Sequence, residues 1–438
     1  MDPRERTARD LCRRLREAGF RALFAGGCVR DLLLHKIPND FDIATNALPE
    51  HVQQLFPHTV DVGAKFGTVL VITHAGPFEV TTFRSDGPYS DGRHPDYVEF
   101  ADERTDAARR DFTINALFFD PATNQVLDYV GGCKDLRDGV IRTVGNPYVR
   151  FAEDYLRLMR AVRFAARFRY SLDVSTWDAL CALAPNIQKT SVERVRDELT
   201  KMLTEGDAAI ALRLLDASGL LHPLLPEIVA MKGVEQPPEF HPEGDVYTHT
   251  MLMLQHMHRP TVTLALGCLL HDVGKPLTQT FEDRIRFNGH DVVGARLAET
   301  ICRRLRFSNE ITARVHDLVA NHMRVVTLPQ MRESKRKRFV RRPDFPELLE
   351  LFRLDCVASH RDLSVWEWIV EYVRTLPEDS LKPPPLLSGH DLIALGYVPG
   401  PVFKKILSEV EDAQLEGTMR TKEEAVRYVR LHYPRDAP

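Results

Sequence analysis

No stretch of the 438-residue sequence approaches the run of about 18 apolar side chains that a membrane-crossing helix needs, so no membrane partner is expected. Cysteine is sparse and scattered: Cys12, Cys28, Cys133, Cys181, Cys268, Cys302 and Cys356, with no CxxC pair among them. An odd, dispersed set excludes a disulfide framework and a thiolate zinc site, and points to reduced thiols in a cytoplasm. The opening segment, MDPRERTARDLCRRLREAGF, lacks the apolar core and small-residue cleavage site of a signal peptide and reads instead as an amphipathic helix. There is no fixed-period repeat. A strong charge of either sign is also missing: 58 basic against 62 acidic residues leave a net charge of −4, so a nucleic-acid partner would have to meet local basic surface. Nothing in the sequence specifies an oligomeric state.

What is present belongs to a folded, water-soluble chain, with 44% hydrophobic and 27% charged residues. Its length exceeds what one ordinary core organises, and two to four domains are expected. Residues 1–145 alternate short β-rich runs (FRALFAGG, TVLVIT, FEVTTFR, INALFFD) with helical stretches, the pattern of an α/β domain. Residues 146–235 read as all-helical, with 3.6-period apolar stripes in EDYLRLMRAVRFAARF and SVERVRDELTKMLTEGDAAIALRLLDASGLL. Residues 236–365 are helical and rich in histidine. Residues 366–438 form a helical tail, interrupted by the rigid run Pro383, Pro384, Pro385.

Chemistry begins after the apolar run Ala22–Ala25. Gly26 and Gly27 at a strand end let backbone N–H groups approach a triphosphate. Arg30, one helical turn on, can add a charge-assisted contact. Asp40 and Asp42 flank Phe41 in a strand-like stretch, where a period of two puts both carboxylates on one face. Adjacent carboxylates repel unless a cation lies between them. Mg²⁺, which takes oxygen ligands and bridges phosphates, suits the pair, and metal ions so placed activate an attacking hydroxyl and neutralise a leaving pyrophosphate. A lone DxD is most often a solvated acidic loop; the order Gly-Gly, Arg30, DxD is what favours chemistry.

Asp154 and Arg157 stand three apart on an expected helix, on one face. Aspartate accepts hydrogen bonds and guanidinium donates them. Cytosine and adenine both offer an amine beside a ring-nitrogen acceptor and fit this pair. Uracil and guanine reverse the pattern and leave buried groups unpaired, which gives strong rejection. The plain alternative is an i,i+3 surface salt bridge. Leu156, Met159 and Val162 are expected in the core of the same helix.

These motifs carry a family resemblance. GGCVRD…DFDIAT resembles the signature of the class II branch of polymerase-β-like nucleotidyltransferases, which includes bacterial CCA-adding enzymes, their CC-adding and A-adding variants, and poly(A) polymerases. FEVTTFRSDGPYSDGRHPDYVEF, RRDFTINAL and DYVGGCKDLRDGVIRTVGNP resemble its following strand and mobile loop, its sugar- and phosphate-contacting motif, and its head-to-neck segment. The resemblance implies a polymerase-β-like α/β head followed by an all-α neck, an HD domain and a helical tail. It also implies that Gly27, Arg30, Arg110, Asp154, Arg157, Arg160 and Arg163 line the nucleotide, while Asp40 and Asp42 hold Mg²⁺, with Glu79 a possible third carboxylate. CTP, ATP and a tRNA 3′ end are the partners it implies. Many relatives have glycine where this chain has His35, which bears on the backbone of that turn. GAKFGT at Gly63–Thr68 and the full-length loop RSDGPYSDGRHP resemble the CCA-adding side; an A-adding specialist, a poly(A) polymerase and an RNA-binding regulator with a degenerate transferase fold are the alternatives.

The histidines form a second constellation. His249, His271-Asp272, His290, His322 and Asp355 follow in the order H…HD…H…H…D, which resembles the HD phosphohydrolase superfamily. Imidazole and carboxylate suit Mn, Fe, Ni, Co or Zn, and a bridged transition metal turns water into a nucleophile at neutral pH. The resemblance implies a first metal on His249, His271, Asp272 and Asp355, a second at His290 and His322, Lys275 near a phosphate, and phosphodiesterase or phosphatase activity. The basic run Arg332–Arg342, with seven Lys/Arg, is either an RNA backbone contact or a solvated helix face.

Overall fold

β-Branched and aromatic side chains set the strands of the N-terminal region in the computed structural model, which describes residues 2–63, 66–89, 95–281 and 283–434. The strands are β1 (Ala22–Ala25), β2 (Asp42–Thr45), β3 (Thr59–Gly63), β4 (Thr68–Thr73), β5 (Gly76–Thr82), β6 (Arg84–Asp86), β7 (Val98–Phe100), β8 (Leu117–Asp120) and β9 (Gln125–Asp128). Seven of them form one sheet in the order β3-β4-β5-β2-β1-β8-β9, while β6 and β7 pair separately. β1 lies inside the sheet and is buried along its whole length. β5 alternates, with Phe78, Val80 and Thr82 inward and Glu79 on the opposite face. The sheet is mixed: β2 runs antiparallel to β1 and parallel to β5, with Ala25 opposite Asp42 and Ile43 opposite Val80. A core of Leu23, Ala25, Ala44, Phe83, Ala107, Ala116, Phe118 and Val144 fills one side.

This α/β head with helices after it is the expected fold class. Two short ladders interrupt the all-helical remainder, Val140–Ile141 with Ser171–Leu172 and Thr280–Phe281 with Ile285–Arg286. Each is only two residues per strand, too short for periodicity to register.

The chain divides into two compact units. The first comprises residues 1–229 with 304–306, and so joins the head to the helices of residues 146–229. In it the helix Leu156–Phe168 buries Met159 and Val162 completely, as its stripe predicts; Leu156 is buried too but also edges the cleft described below. The second comprises residues 230–303 and 307–438. Its last helices carry their own apolar cluster of Leu387, Leu392, Ile406, Val410, Met419, Ala425 and Val429. Among the described residues no helix is long and apolar enough to cross a membrane.

Candidate active sites

A cleft of about 820 Å³ opens within the first unit. β1 runs into Gly26, whose φ of 72° is a left-handed value that glycine adopts without strain. Gly27 then starts the helix Gly27–Leu33, and both glycines line the cleft with Arg30. Arg30 is buried; its Nη1 donates to Asn115 Oδ1 at 2.6 Å and its Nε to Asp31 Oδ1 at 2.9 Å. His35 takes a φ of 56°, a left-handed value uncommon for a residue other than glycine.

Asp42 is the first residue of β2, and the parallel register puts Glu79 of β5 beside it; both line the cleft. Burial, then the charges of Glu79 and Asp40, push the Asp42 carboxyl up to about 6 against the pull of Arg110. Asp40 differs from the expected arrangement. The strand begins only at Asp42, and Asp40 stands in the turn before it, exposed, with Arg4 Nη2 at 3.2 Å from its Oδ1; it is not among the lining residues. Arg4 reaches it from the N-terminal helix Pro3–Glu17, a pairing across distant sequence that no local pattern encodes.

Asp154 and Arg157 both line the cleft, but they do not share a helix face. Asp154 has extended backbone between the helices Pro147–Glu153 and Leu156–Phe168, and its Oδ1 accepts from the Leu156 N–H at 3.1 Å. Among the described residues no ion pair joins it to Arg157. Arg194 holds Asp154 instead, Nη2 to Oδ2 at 2.7 Å, while Arg157 Nη1 donates to the Arg150 carbonyl at 2.9 Å and pairs with Glu153. Arg160 donates twice to Asp111 Oδ2, at 2.9 and 2.7 Å, and Arg163 pairs with buried Glu198 at 2.5 Å. Burial alone would raise the Asp111 carboxyl, but Arg160 outweighs it and holds it near 2. Arg110 Nε and Nη2 donate to Asp106. All seven residues expected at the nucleotide thus line one cleft, where nine arginines meet five carboxylates.

Sequence reading took Asp111 and Asn115 only as part of RRDFTINAL, with no role of their own, and passed over Arg194 and Glu198. Of these two, Glu198 left a signal, an acid inside the apolar stripe of Val195, Leu199 and Met202 on the helix Val192–Glu205. Of the motifs GAKFGT and RSDGPYSDGRHP, residues 64–65 and 90–94 lie outside the described residues.

The second unit gathers the histidine constellation. His249 comes from the helix Val246–His256, N-capped by Asp245; His271 ends the helix Val262–Leu270; His290 opens the helix His290–Arg304; His322 follows Asn309–Asn321; Asp355 lies on Phe345–Ala358. The VGK turn after His271-Asp272 needs Gly274, because a Cβ there would lie 2.3 Å from the His290 carbonyl oxygen. The ligand atoms of these six residues form two groups, His249 with His271 and Asp355, and Asp272 with His290 and His322, while His241 and Glu243 form a third with His249. Asp272 Oδ2 is 3.1 Å from His271 Nε2, and its Oδ1 is 3.6 and 3.9 Å from Nε2 of His290 and His322. Burial, with His271 and His290 nearby, pulls His322 down to about 4, so its imidazole is neutral. His249 Nε2, His271 Nε2 and Asp272 Oδ2 are buried without a hydrogen-bond partner. Nε2 of His249 and of His271 each faces a carboxylate oxygen at 3.1 Å, of Asp355 and of Asp272, an arrangement that a shared proton or a bound cation stabilises. Lys275 Nζ contacts Asp272 Oδ2 at 2.7 Å and Gln236 Oε1 at 2.6 Å. A cavity of about 560 Å³ opens on Asp272, His290, His322 and Asp355.

The basic run is not a free charged face. Arg332 pairs with Asp412 and Glu416, Arg338 with Glu411 and Asp412, and Arg341 with Glu411, all on or beside the helix Pro401–Leu415. Arg336 and Lys337 cap backbone carbonyls, and Arg342 pairs with Asp344.

Three family patterns match the chain. The poly A polymerase head domain covers residues 22–142, the "Probable RNA and SrmB-binding site of polymerase A" residues 169–231, and the HD domain residues 246–358. Among curated proteins, the CCA-adding enzyme of Leuconostoc mesenteroides is 47% identical over 208 residues, which is 47% of this chain and 52% of that one. The matched region thus spans about half the length of such relatives. Among solved structures, the Bacillus stearothermophilus CCA-adding enzyme in complex with CTP aligns over 99% of both chains, with a TM-score of 0.76 and 26% identity. The Thermotoga maritima CCA-adding enzyme complexed with tRNA_CCA shares the fold, with a TM-score of 0.62 and 20% identity over 99% of this chain and 96% of that one.

Proposed function

We propose, from the match of residues 22–142 to the poly A polymerase head domain and of residues 246–358 to the HD domain, that the chain is a template-independent nucleotidyltransferase that adds or repairs the 3′-terminal CCA of tRNA with CTP, ATP and Mg²⁺. One observation carries this reading: a single cleft collects Asp42 and Glu79, the phosphate-directed arginines and the Asp154/Arg157 acceptor–donor pair.

The donor set fits Mg²⁺. Asp42 and Glu79, with Asp40 turned inward from Arg4, would hold it, and an Asp42 carboxyl raised by burial and then by its acidic neighbours is what buried, crowded oxygens give before a cation arrives. When bound, Mg²⁺ supplies activation of the 3′-hydroxyl and neutralisation of the leaving pyrophosphate. The rest falls to the protein. Gly26 and Gly27 bring backbone N–H groups to the phosphates. Arg30, Arg110, Arg160 and Arg163 balance the triphosphate charge. Asp154 accepts from the exocyclic amine of C or A and Arg157 donates to the neighbouring ring nitrogen, so the protein itself serves as the template. UTP and GTP present the reverse pattern.

The HD cluster is a second site. His249, His271, Asp272 and Asp355, with His290 and His322, would hold a transition metal (Ni, Co, Mn, Fe or Zn), and their buried, clustered imidazoles and carboxylates fit that role. Such a metal supplies a hydroxide nucleophile. Lys275, fixed by Asp272 and Gln236, places a positive charge for a phosphoester. The site serves a phosphodiesterase or phosphatase activity. Seven free cysteines suit a reducing cytoplasm.

The test is to incubate the purified protein with tRNA ending before C74, tRNA ending after C75, or a poly(A) primer, supplying one nucleotide at a time. CTP addition to the first and ATP addition to the second support the proposal. ATP addition to the second alone marks an A-adding specialist, extended A-tails on the primer mark a poly(A) polymerase, and no addition leaves an RNA-binding regulator.

A further inference from the structure

Three of the four histidines of the HD cluster fix their ring protons in one way. Nδ1 of His271, His290 and His322 faces the backbone carbonyl three residues earlier, at Cys268, Phe287 and Val319, at 3.0, 2.8 and 2.7 Å. His249 is different. Its Nδ1 lies 2.7 Å from Glu243 Oε1, and the same oxygen accepts from His241 Nδ1 at 2.9 Å. A carboxylate only accepts, so both Nδ1 atoms carry the proton, and Nε2 is the one nitrogen of His249 able to ligate a metal, once it releases the proton it shares with the carboxylate it faces. That Nε2 stands 3.1 Å from Asp355 Oδ1.

Glu243 is held where it is. Its loop is closed by Gly233 N–H to Asp245 Oδ2 at 2.6 Å and by Val246 N–H to the Val234 carbonyl at 3.1 Å. Its side chain is 7% exposed, and its Oε2 is buried without a hydrogen-bond partner. Burying a charge this way is costly unless it serves something. An anionic carboxylate behind an imidazole fixes the ring and makes its far nitrogen a better ligand, where a neutral carbonyl does so less. These two ligand groups are therefore unequal: in one His249 is backed by Glu243, and in the other both histidines, beside Asp272, are backed by carbonyls.

We propose that Glu243 is a positioning residue that makes the His249, His271, Asp355 group the tighter of two metal positions, so that it fills with a divalent transition metal before the Asp272, His290, His322 group. This rests on reading the cluster as a metal site.

The test uses the full chain, stripped with chelator and titrated with Co²⁺ alone, followed by calorimetry, by visible absorption and by metal content. Wild type takes up Co²⁺ in two resolved steps. Glu243→Gln keeps an acceptor for Nδ1 but loses the charge; it weakens the first step about 10-fold and shifts its absorption bands, and Glu243→Ala weakens it up to about 100-fold. The second step stays put in both. His241→Ala, which leaves Glu243 to His249 alone, keeps the first step at least as tight. Wild-type constants in both Glu243 variants overturn the proposal. So does equal weakening of both steps with a lower melting temperature of the metal-free protein, which would make Glu243 a structural residue. If Glu243→Ala does not fold, Glu243→Gln decides. A wild type that binds no Co²⁺ overturns the metal reading of the cluster itself and the proposal with it.

Discussion

Arg194 grips Asp154 through both carboxylate oxygens, Nη1 to Oδ1 at 3.1 Å and Nη2 to Oδ2 at 2.7 Å. The acceptor proposed to read the base is thus aimed by a guanidinium from another helix, in the two-pronged geometry that fixes direction as well as distance. Asp154→Ala removes the acceptor and Arg194→Ala lets it swing. Both should erode rejection of UTP and GTP more than they weaken triphosphate binding, and Arg194→Lys should not restore it, because an ammonium lacks the fork. A charged hydrogen bond lost here costs about 1.5–3 kcal/mol, or roughly 10- to 150-fold in discrimination. Competition between nucleotides on tRNA ending in CC measures it. Unchanged preference in both alanine variants would leave the pair as a structural clasp.

The Asp42 carboxyl, raised to about 6, gives the head a pH dependence. Below that value it carries a proton and cannot serve a cation; above it the charged form takes over. Nucleotide addition at limiting Mg²⁺ should therefore fall as pH drops through 6, by about tenfold for each further unit, and recover when Mg²⁺ is raised, since the cation competes with the proton. Asp42→Ala should abolish addition at every pH while leaving hydrolysis at the HD site intact. A flat profile from pH 5 to 8 at limiting Mg²⁺ would show that Asp42 does not bind the ion.

Some of this architecture was legible in the sequence and some was not, for definite reasons. The strands Thr68–Thr73 and Gly76–Thr82 alternate inward and outward residues, and Gly26-Gly27 marks the end of β1, so a period and a turn were enough to find them. The HD cluster was readable because its residue types are rare at such spacing. Glu79 becomes a neighbour of Asp42 only through the parallel pairing of β2 with β5, a register between segments more than 30 residues apart. Arg194 meets Asp154 across 40 residues, and Arg4 meets Asp40 from the first helix. Periodicity is blind to such pairings. The Asp154–Arg157 spacing suggested one helix face, but the chain is extended at Asp154 and the helix restarts at Leu156, whose N–H donates to Asp154 Oδ1.

Contacts of the basic run with the C-terminal helices predict a phenotype opposite to that of an RNA contact. Arg338 and Arg341 both pair with Glu411, and Arg338 also with Asp412. Arg338→Ala with Arg341→Ala should lower stability, each partly exposed pair contributing up to about 1 kcal/mol. Affinity for tRNA, and its slope against salt, should not change. Loss of two phosphate contacts would instead reduce that slope by about 2. Thermal melts beside tRNA binding at several salt concentrations separate the two. A reduced slope with an unchanged melt would return the run to RNA.

The two proposed active sites should also come apart chemically. The head offers carboxylate oxygens, which favour Mg²⁺; the HD cluster offers buried imidazoles whose Nε2 atoms at His249 and His271 face carboxylates, which favours transition metals. His271→Ala with Asp272→Ala removes a residue from each ligand group, so both positions should lose metal together. Hydrolysis of 2′,3′-cyclic or terminal phosphates should vanish, while addition of C and A persists, because Asp42, Asp154, Arg157 and Arg194 are untouched. A metal that joins several helices can also hold them folded, so circular dichroism accompanies the assays, and Asp272→Asn alone, nearly isosteric, gives a second variant less exposed to that problem. Elemental analysis of the wild type decides the matter. A folded protein carrying no transition metal, and cleaving no phosphoester when supplied with Mn²⁺, Ni²⁺ or Co²⁺, would reduce the histidine cluster to a scaffold.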